Sequence, residues 1–207
     1  MATNNVLDAI RKARTTMQGV TLTPGQKAIA VNKNLGNGSI QDQQATSRVM
    51  YDTLPLNAST VLNFFLNCAS RSFPDTNMQQ NKLQAGETFV AQRVYFAGMV
   101  KSATDTSNII EALSVLNTHF YFGQWSLTFD TMTVIKPYPL NSQLPAFNHY
   151  GKHTTNESNR LDAEQVIPTD IQFTLVLQLD TYTAIANAFC RGVMEGFGTL
   201  LAPKTQF

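Results

Sequence analysis

The sequence predicts a mainly β chain folded as an antiparallel sandwich, and three observations carry that expectation. Apolar and polar residues alternate in several short runs, the period of a half-buried strand. The chain is rich in residues that fit a pleated surface, with 13 Phe and 24 Thr among 207 residues. Its polar side chains are mostly uncharged: 24 Thr, 17 Asn, 15 Gln and 11 Ser make 67 residues, against 29 charged ones. Charged residues are 14% of the chain, where soluble domains average about 25%. A surface of Thr, Asn, Gln and Ser can bond to neighbours without the desolvation cost of burying charge. Interface cores are depleted in charge for the same reason, so the composition points to a chain packed among others.

Residues 1–34 read as a separate basic arm. Val6, Leu7 and Ile10 are spaced for a short helix. Arg11, Lys12, Arg14, Lys27 and Lys33 face only Asp8, a net +4. Such a segment is either a solvated helix face or an arm that touches nucleic acid or an acidic neighbour through Arg11, Lys12 and Arg14. Lys27–Val31 reads as a strand, and Asn37-Gly38 as a tight turn.

Residues 35–207 are expected to form one sandwich domain. Gln41, Gln43 and Gln44 lie on a polar stretch before a strand at Arg48–Thr53. Val61–Leu66 fits either a helix or a strand; its shortness and its start after Thr60 favour strand. Phe89–Met99 is β-branched and aromatic, entered through the turn-like Gln84–Glu87. Ser107–Leu116 has helical spacing with Ser107 as N-cap. Trp125, Leu127 and Phe129 alternate with Ser126, Thr128 and Asp130. Residues 136–168, bounded by Pro137, Pro139, Pro145 and Pro168, show no periodicity and are expected as a long loop. The clearest run places Ile171, Phe173, Leu175, Leu177 and Leu179 on one face and Gln172, Thr174, Gln178 and Asp180 opposite. Val176 breaks that alternation, as a partner-facing contact would explain. About eight strands with long loops pack most naturally as a jelly-roll-like sandwich.

The chemistry expected of these residues is sparse. His149 and His153 stand four apart, with Asp162 or Glu164 near in sequence, yet they lie in a Pro-bounded segment rather than on a helix face. Cys190 and His119 lack a third group to orient them. No nucleophile elbow, phosphate loop or dinucleotide fingerprint occurs. The glycines of Gly192–Gly198 read as bends or close backbone approaches near a sheet end. No catalytic residue, metal or cofactor is therefore expected. Cys68 and Cys190 read as small buried hydrophobes. The matches to the N-glycosylation pattern, such as Asn57-Ala-Ser59, read as chance in so Asn-rich a chain. Tyr138, Phe147 and Tyr150, in the long loop, are the candidates for an interaction: they could stack on sugars or anchor the loop to the sheet or a neighbour. No apolar run reaches the 18 residues of a membrane span and the opening residues lack a signal-peptide core, so a product made and folded in a cytoplasm is expected. A near-neutral charge of +1 argues against broad binding to nucleic acid or anionic membranes.

Asn81–Val90 running into Gln92–Phe96, with the strand Ile171–Leu179 and the ending Cys190–Thr199, resembles segments of bacteriophage virion structural proteins. The resemblance implies a jelly-roll-like capsid or shell subunit found in the virion. Its partners would be copies of itself and other virion proteins, with the basic arm making weak contact with packaged nucleic acid. The chain is short for a double-barrel capsid protein, so a single barrel with long loops is implied. The alternative is a receptor- or glycan-binding sandwich of a phage fibre or adhesin.

Overall fold

The structure is a computed structural model that describes Thr23, Gln26, Ile29, Ala30 and residues 43–57, 59–100, 122–140, 160–181 and 187–201. Eight strands run through these residues: β1 (Gln43–Pro55), β2 (Val61–Phe64), β3 (Phe89–Val100), β4 (Gln124–Phe129), β5 (Met132–Pro139), β6 (Arg160–Ile167), β7 (Phe173–Gln178) and β8 (Ala188–Leu201). They form two four-stranded antiparallel sheets, ordered β1-β8-β3-β6 and β2-β7-β4-β5.

The pairing has a simple arithmetic. β1 pairs with β8, β2 with β7, β3 with β6 and β4 with β5. The chain is thus folded in half at the β4–β5 turn, where Asp130 takes a positive φ of 49°. Two further pairings, β8 with β3 and β7 with β4, gather these four ladders into the two sheets.

Period-2 patterning accounts for the core. β2, β4 and β7 each alternate buried with more accessible residues. Leu62, Phe64, Trp125, Leu127, Phe129, Phe173, Leu175 and Leu177 enter one apolar cluster with Met50, Phe89, Val94, Phe96 and Met194 of the other sheet. Rings meet between the sheets, Phe64 on Phe96 at 5.7 Å and Phe96 on Trp125 at 6.3 Å between centroids. Burying each such ring contributes about 1.5–3 kcal/mol. Gly192 lies under the Phe64 ring, where a Cβ would come within 2.9 Å of it. A Cβ on Gly196 would overlap the Val90 carbonyl oxygen, beside the irregularity in β3 at Ala91–Arg93. The expected close approaches of these glycines are therefore present, within a central strand of the sheet.

Several expectations are corrected. The strand at Lys27–Val31 is overturned, since Ile29 and Ala30 are helical. Just before them, Thr23 N–H donates to Gln26 Oε1 (2.9 Å) and Gln26 N–H donates to Thr23 Oγ1 (3.4 Å), a capping box that starts a helix. The stretch at Gln43 and Gln44 is strand, part of β1. Residues 136–139 belong to β5 and 160–167 to β6, so both ends of the span expected as a 136–168 loop are strand. The single barrel is also corrected: among the described residues, no strand of one sheet pairs with a strand of the other. Nor does any helix among them reach seven residues, and none is long and apolar enough to cross a membrane. The helices expected near Val6–Ile10 and over Ser107–Leu116 lie outside the described residues.

Candidate interaction surface

Each sheet turns one side to the core and one outward, and register sets which side chains share the outer rows. On the β1-β8-β3 face the middle row is Tyr51, Val193 and Tyr95. The rows beside it are Thr53, Arg191 and Ala97, then Val49, Glu195 and Arg93. On the β2-β7-β4 face the middle row is Asn63, Val176 and Ser126. It is flanked by Val61, Gln178 and Gln124, and by the pair Thr174 and Thr128.

The first face ties itself together with charge. Arg191 lies 4.6 Å over the Tyr51 ring and donates from Nε to Thr53 Oγ1 (2.9 Å) and from Nη2 to the Pro74 carbonyl (2.8 Å). The Tyr95 hydroxyl donates to Glu195 Oε1 at 2.7 Å, and Arg93 Nη1 stands 3.8 Å from Glu195 Oε2. Burial, then the Glu195 carboxylate, push the Tyr95 phenol up to about 12. Val193, between the two tyrosines, is only 4% exposed.

Along the edge of this sheet a strap runs from Phe65 to Met78. Its anchor is Asp52, fully buried, which accepts from Arg71 Nε (3.1 Å), Arg71 Nη2 (2.7 Å) and the Phe65 N–H (2.7 Å). A buried carboxylate needs such partners to offset its lost hydration. Asn77 then stands in for a strand: Tyr51 N–H donates to its Oδ1 (2.9 Å) and its Nδ2 donates to the Val49 carbonyl (2.6 Å).

The second face carries no charge at any of its eight outward positions on β2, β7 and β4. Gln124 Nε2 donates to Gln178 Oε1 across it at 2.6 Å, and Thr128 Oγ1 donates to the Thr174 carbonyl at 3.1 Å. Val176 sits in the centre of an amide- and hydroxyl-lined patch, on the outward side.

Of the candidates named from sequence, Tyr138 is described. It lies in β5, 38% exposed, with its ring centroid 6.0 Å from that of Trp125, so it packs against a core residue. Arg11, Lys12, Arg14, Phe147, Tyr150, His119, His149 and His153 lie outside the described residues. Glu164 accepts from Gln92 Nε2 at 2.9 Å. Among the described residues no three His, Cys, Asp or Glu converge to hold a metal. Cys68 and Cys190 are free and buried, and burial pushes both thiols up, away from the nucleophilic thiolate. Sequence reasoning missed Tyr51, Arg191, Asn77, Tyr95 and Glu195, whose roles depend on which strands become neighbours. Comparison with protein families, with curated proteins and with solved structures finds no match to this chain.

Proposed function

We propose that this chain is a structural subunit of a virion, a shell protein that assembles with copies of itself through the outer face of β2-β7-β4. The observation that carries the reading is the absence of charge from the eight outward positions around Val176. A face that only had to stay in water would gain solubility from Lys or Glu there. A face that is buried against a neighbour would instead lose free energy by desolvating them. Uncharged hydroxyls and amides suit both states, soluble before assembly and bonded after it. Many modest contacts of this kind let misplaced subunits leave again, which a closed symmetric assembly requires.

The strand orders 1-8-3-6 and 2-7-4-5 support reading the fold as a jelly-roll sandwich. Folding a four-ladder hairpin over itself generates both orders at once, and capsid and lectin domains are among the proteins built that way. Fold by itself does not assign function, so the uncharged face carries the weight. Other virion proteins are the further partners, and the basic residues Arg11, Lys12 and Arg14 are the proposed contact with packaged nucleic acid.

Sedimentation velocity and electron microscopy of the purified chain test this reading. Large closed particles or rings are expected, and Val176→Asp or Ser126→Lys is expected to dissolve them while circular dichroism stays unchanged. A chain that stays monomeric at high concentration, or particles indifferent to both substitutions, would overturn it.

A further inference from the structure

The connection that follows the strap, residues 79–88, borders a cavity of about 160 Å³ beside β1. Arg48, Lys82 and Glu87 stand around it with the side-chain amides of Gln79, Gln80 and Gln84. Charged residues are only 14% of the chain, so three of them with three amides on one small cavity is a concentration.

The fold fixes these walls. Arg48 leaves β1 across Gly198 of β8, where a Cβ would come 3.0 Å from Arg48 Cδ. Glycine there gives the arginine stem room to reach Glu87, whose Oε2 accepts from Arg48 Nη1 at 2.9 Å. The two side chains are 23% and 18% exposed. A tight turn sets Glu87, its N–H donating to the Gln84 carbonyl at 2.9 Å with Gly86 at a φ of 87°. Bridges from Lys82 to Gln172 and from Leu83 to Thr169 hold the opposite wall. Asn77 also lines the cavity, and its amide is committed to the backbone of Tyr51 and Val49.

We infer that this cavity is a binding site for an acidic sugar, a single monosaccharide ring carrying one carboxylate. Two cations against one carboxylate leave the lining at +1, the complement of one negative charge. Arginine has five N–H donors, and among the described residues Arg48 gives one to a side chain, Glu87. Lys82 Nζ, 3.6 Å from Asp170 Oδ1 and 40% exposed, is loosely held. A carboxylate between these two cations gains charge-assisted bonds. Sugar hydroxyls both donate and accept, and so do primary amides. The amides of Gln79, Gln80 and Gln84 make no bond among the described residues. Glu87 accepts from a further hydroxyl, and its charge repels the second charge of a phosphate. The volume is below the about 300–1,000 Å³ of drug-sized sites, which suits one ring rather than a chain of them. The inference does not rest on the assembly reading, since it uses no outward residue of β2-β7-β4.

Calorimetry and saturation-transfer NMR on the full chain test it. The probes are D-glucuronate, D-galacturonate and N-acetylneuraminate, with D-glucose and inorganic phosphate as the neutral and dianionic comparisons. At least one acidic sugar is expected to bind about tenfold more tightly than D-glucose and phosphate. Lys82→Gln is expected to weaken that sugar about fivefold and Arg48→Gln about tenfold or more, while Lys82→Arg keeps it within about threefold. If Arg48→Gln fails to fold, Lys82→Gln and Gln80→Ala carry the test, because both positions are accessible at the cavity rim. Urea midpoints equal to the parent's show that a weakened variant is still folded. No binding of any acidic sugar, D-glucose or phosphate bound as tightly, or binding indifferent to these substitutions would overturn the inference.

Discussion

Val193 and Val176 occupy the same place on opposite sides of the molecule, each at the centre of an outward-facing array, and their surroundings differ completely. Val193 is flanked by Tyr51 and Tyr95, with Arg191, Glu195 and Arg93 in the adjoining rows, and is 4% exposed. Val176 is flanked by Asn63 and Ser126 and is half-buried. One face ties its polar groups together with charged side chains. The other does so with the uncharged pairs Gln124–Gln178 and Thr128–Thr174 around an apolar centre. The contrast separates a charged face with a sealed centre from an uncharged face whose centre is half-buried.

The largest effect tests the charged side at its anchor. Asp52→Ala leaves the Arg71 guanidinium and the Phe65 N–H without their acceptor and frees the strap. A loss of about 3 kcal/mol is expected, read as a lower midpoint in urea unfolding. Gly196→Ala comes next, at about 1–3 kcal/mol, because a methyl group there forces β8 away from the Val90 carbonyl. The same measurement checks it, and an unchanged midpoint would mean that the β3 irregularity can give way.

Arg191→Ala sharpens the comparison, since it should cost stability on one face without touching assembly through the other. About 1–2 kcal/mol is expected from the lost stacking on Tyr51 and the bonds to Thr53 and Pro74, with particle formation by sedimentation unchanged. The smallest effect is a pH dependence confined to strong alkali. Tyr95 ionises at about 12 in the folded chain, above the ordinary 10.0 of a tyrosine. Between those values the unfolded chain has lost the proton and the folded chain keeps it. Stability therefore falls as pH rises through this window, and below about pH 10 the group adds no slope. Ultraviolet titration of the phenols should show one late step that Tyr95→Phe removes.

Much of this is legible in the sequence wherever a property depends on residues close along the chain. Alternation alone locates β7, β4 and β3, and it puts Thr174 and Gln178 outward with Val176 as the exception. The short run at Val61–Leu66 is ambiguous in period, and the burial of Leu62 and Phe64 decides its first four residues for strand. What stays illegible depends on register between distant segments. Nothing near Asn77 signals that its amide will plug the edge of a strand 28 residues earlier. Arg191 and Tyr51 meet only because β8 lies beside β1. The helical Ile29 and Ala30 are a different failure: the Thr23-x-x-Gln26 capping box is local, and the short apolar run after Lys27 outweighs it on reading.

The folded-in-half pairing has a consequence for how the chain reaches its structure. Of the eight strands β1 is the first to leave the ribosome, and its ladder partner β8 is the last. Until β8 is made, β1 has no strand to join and β3 lacks the neighbour between them. The β1-β8-β3-β6 sheet therefore closes last. All-β chains dominated by such distant pairings fold in roughly milliseconds to seconds. During synthesis β1 waits longer than any other of these strands for its partner, at the stage when a stray one does the most harm.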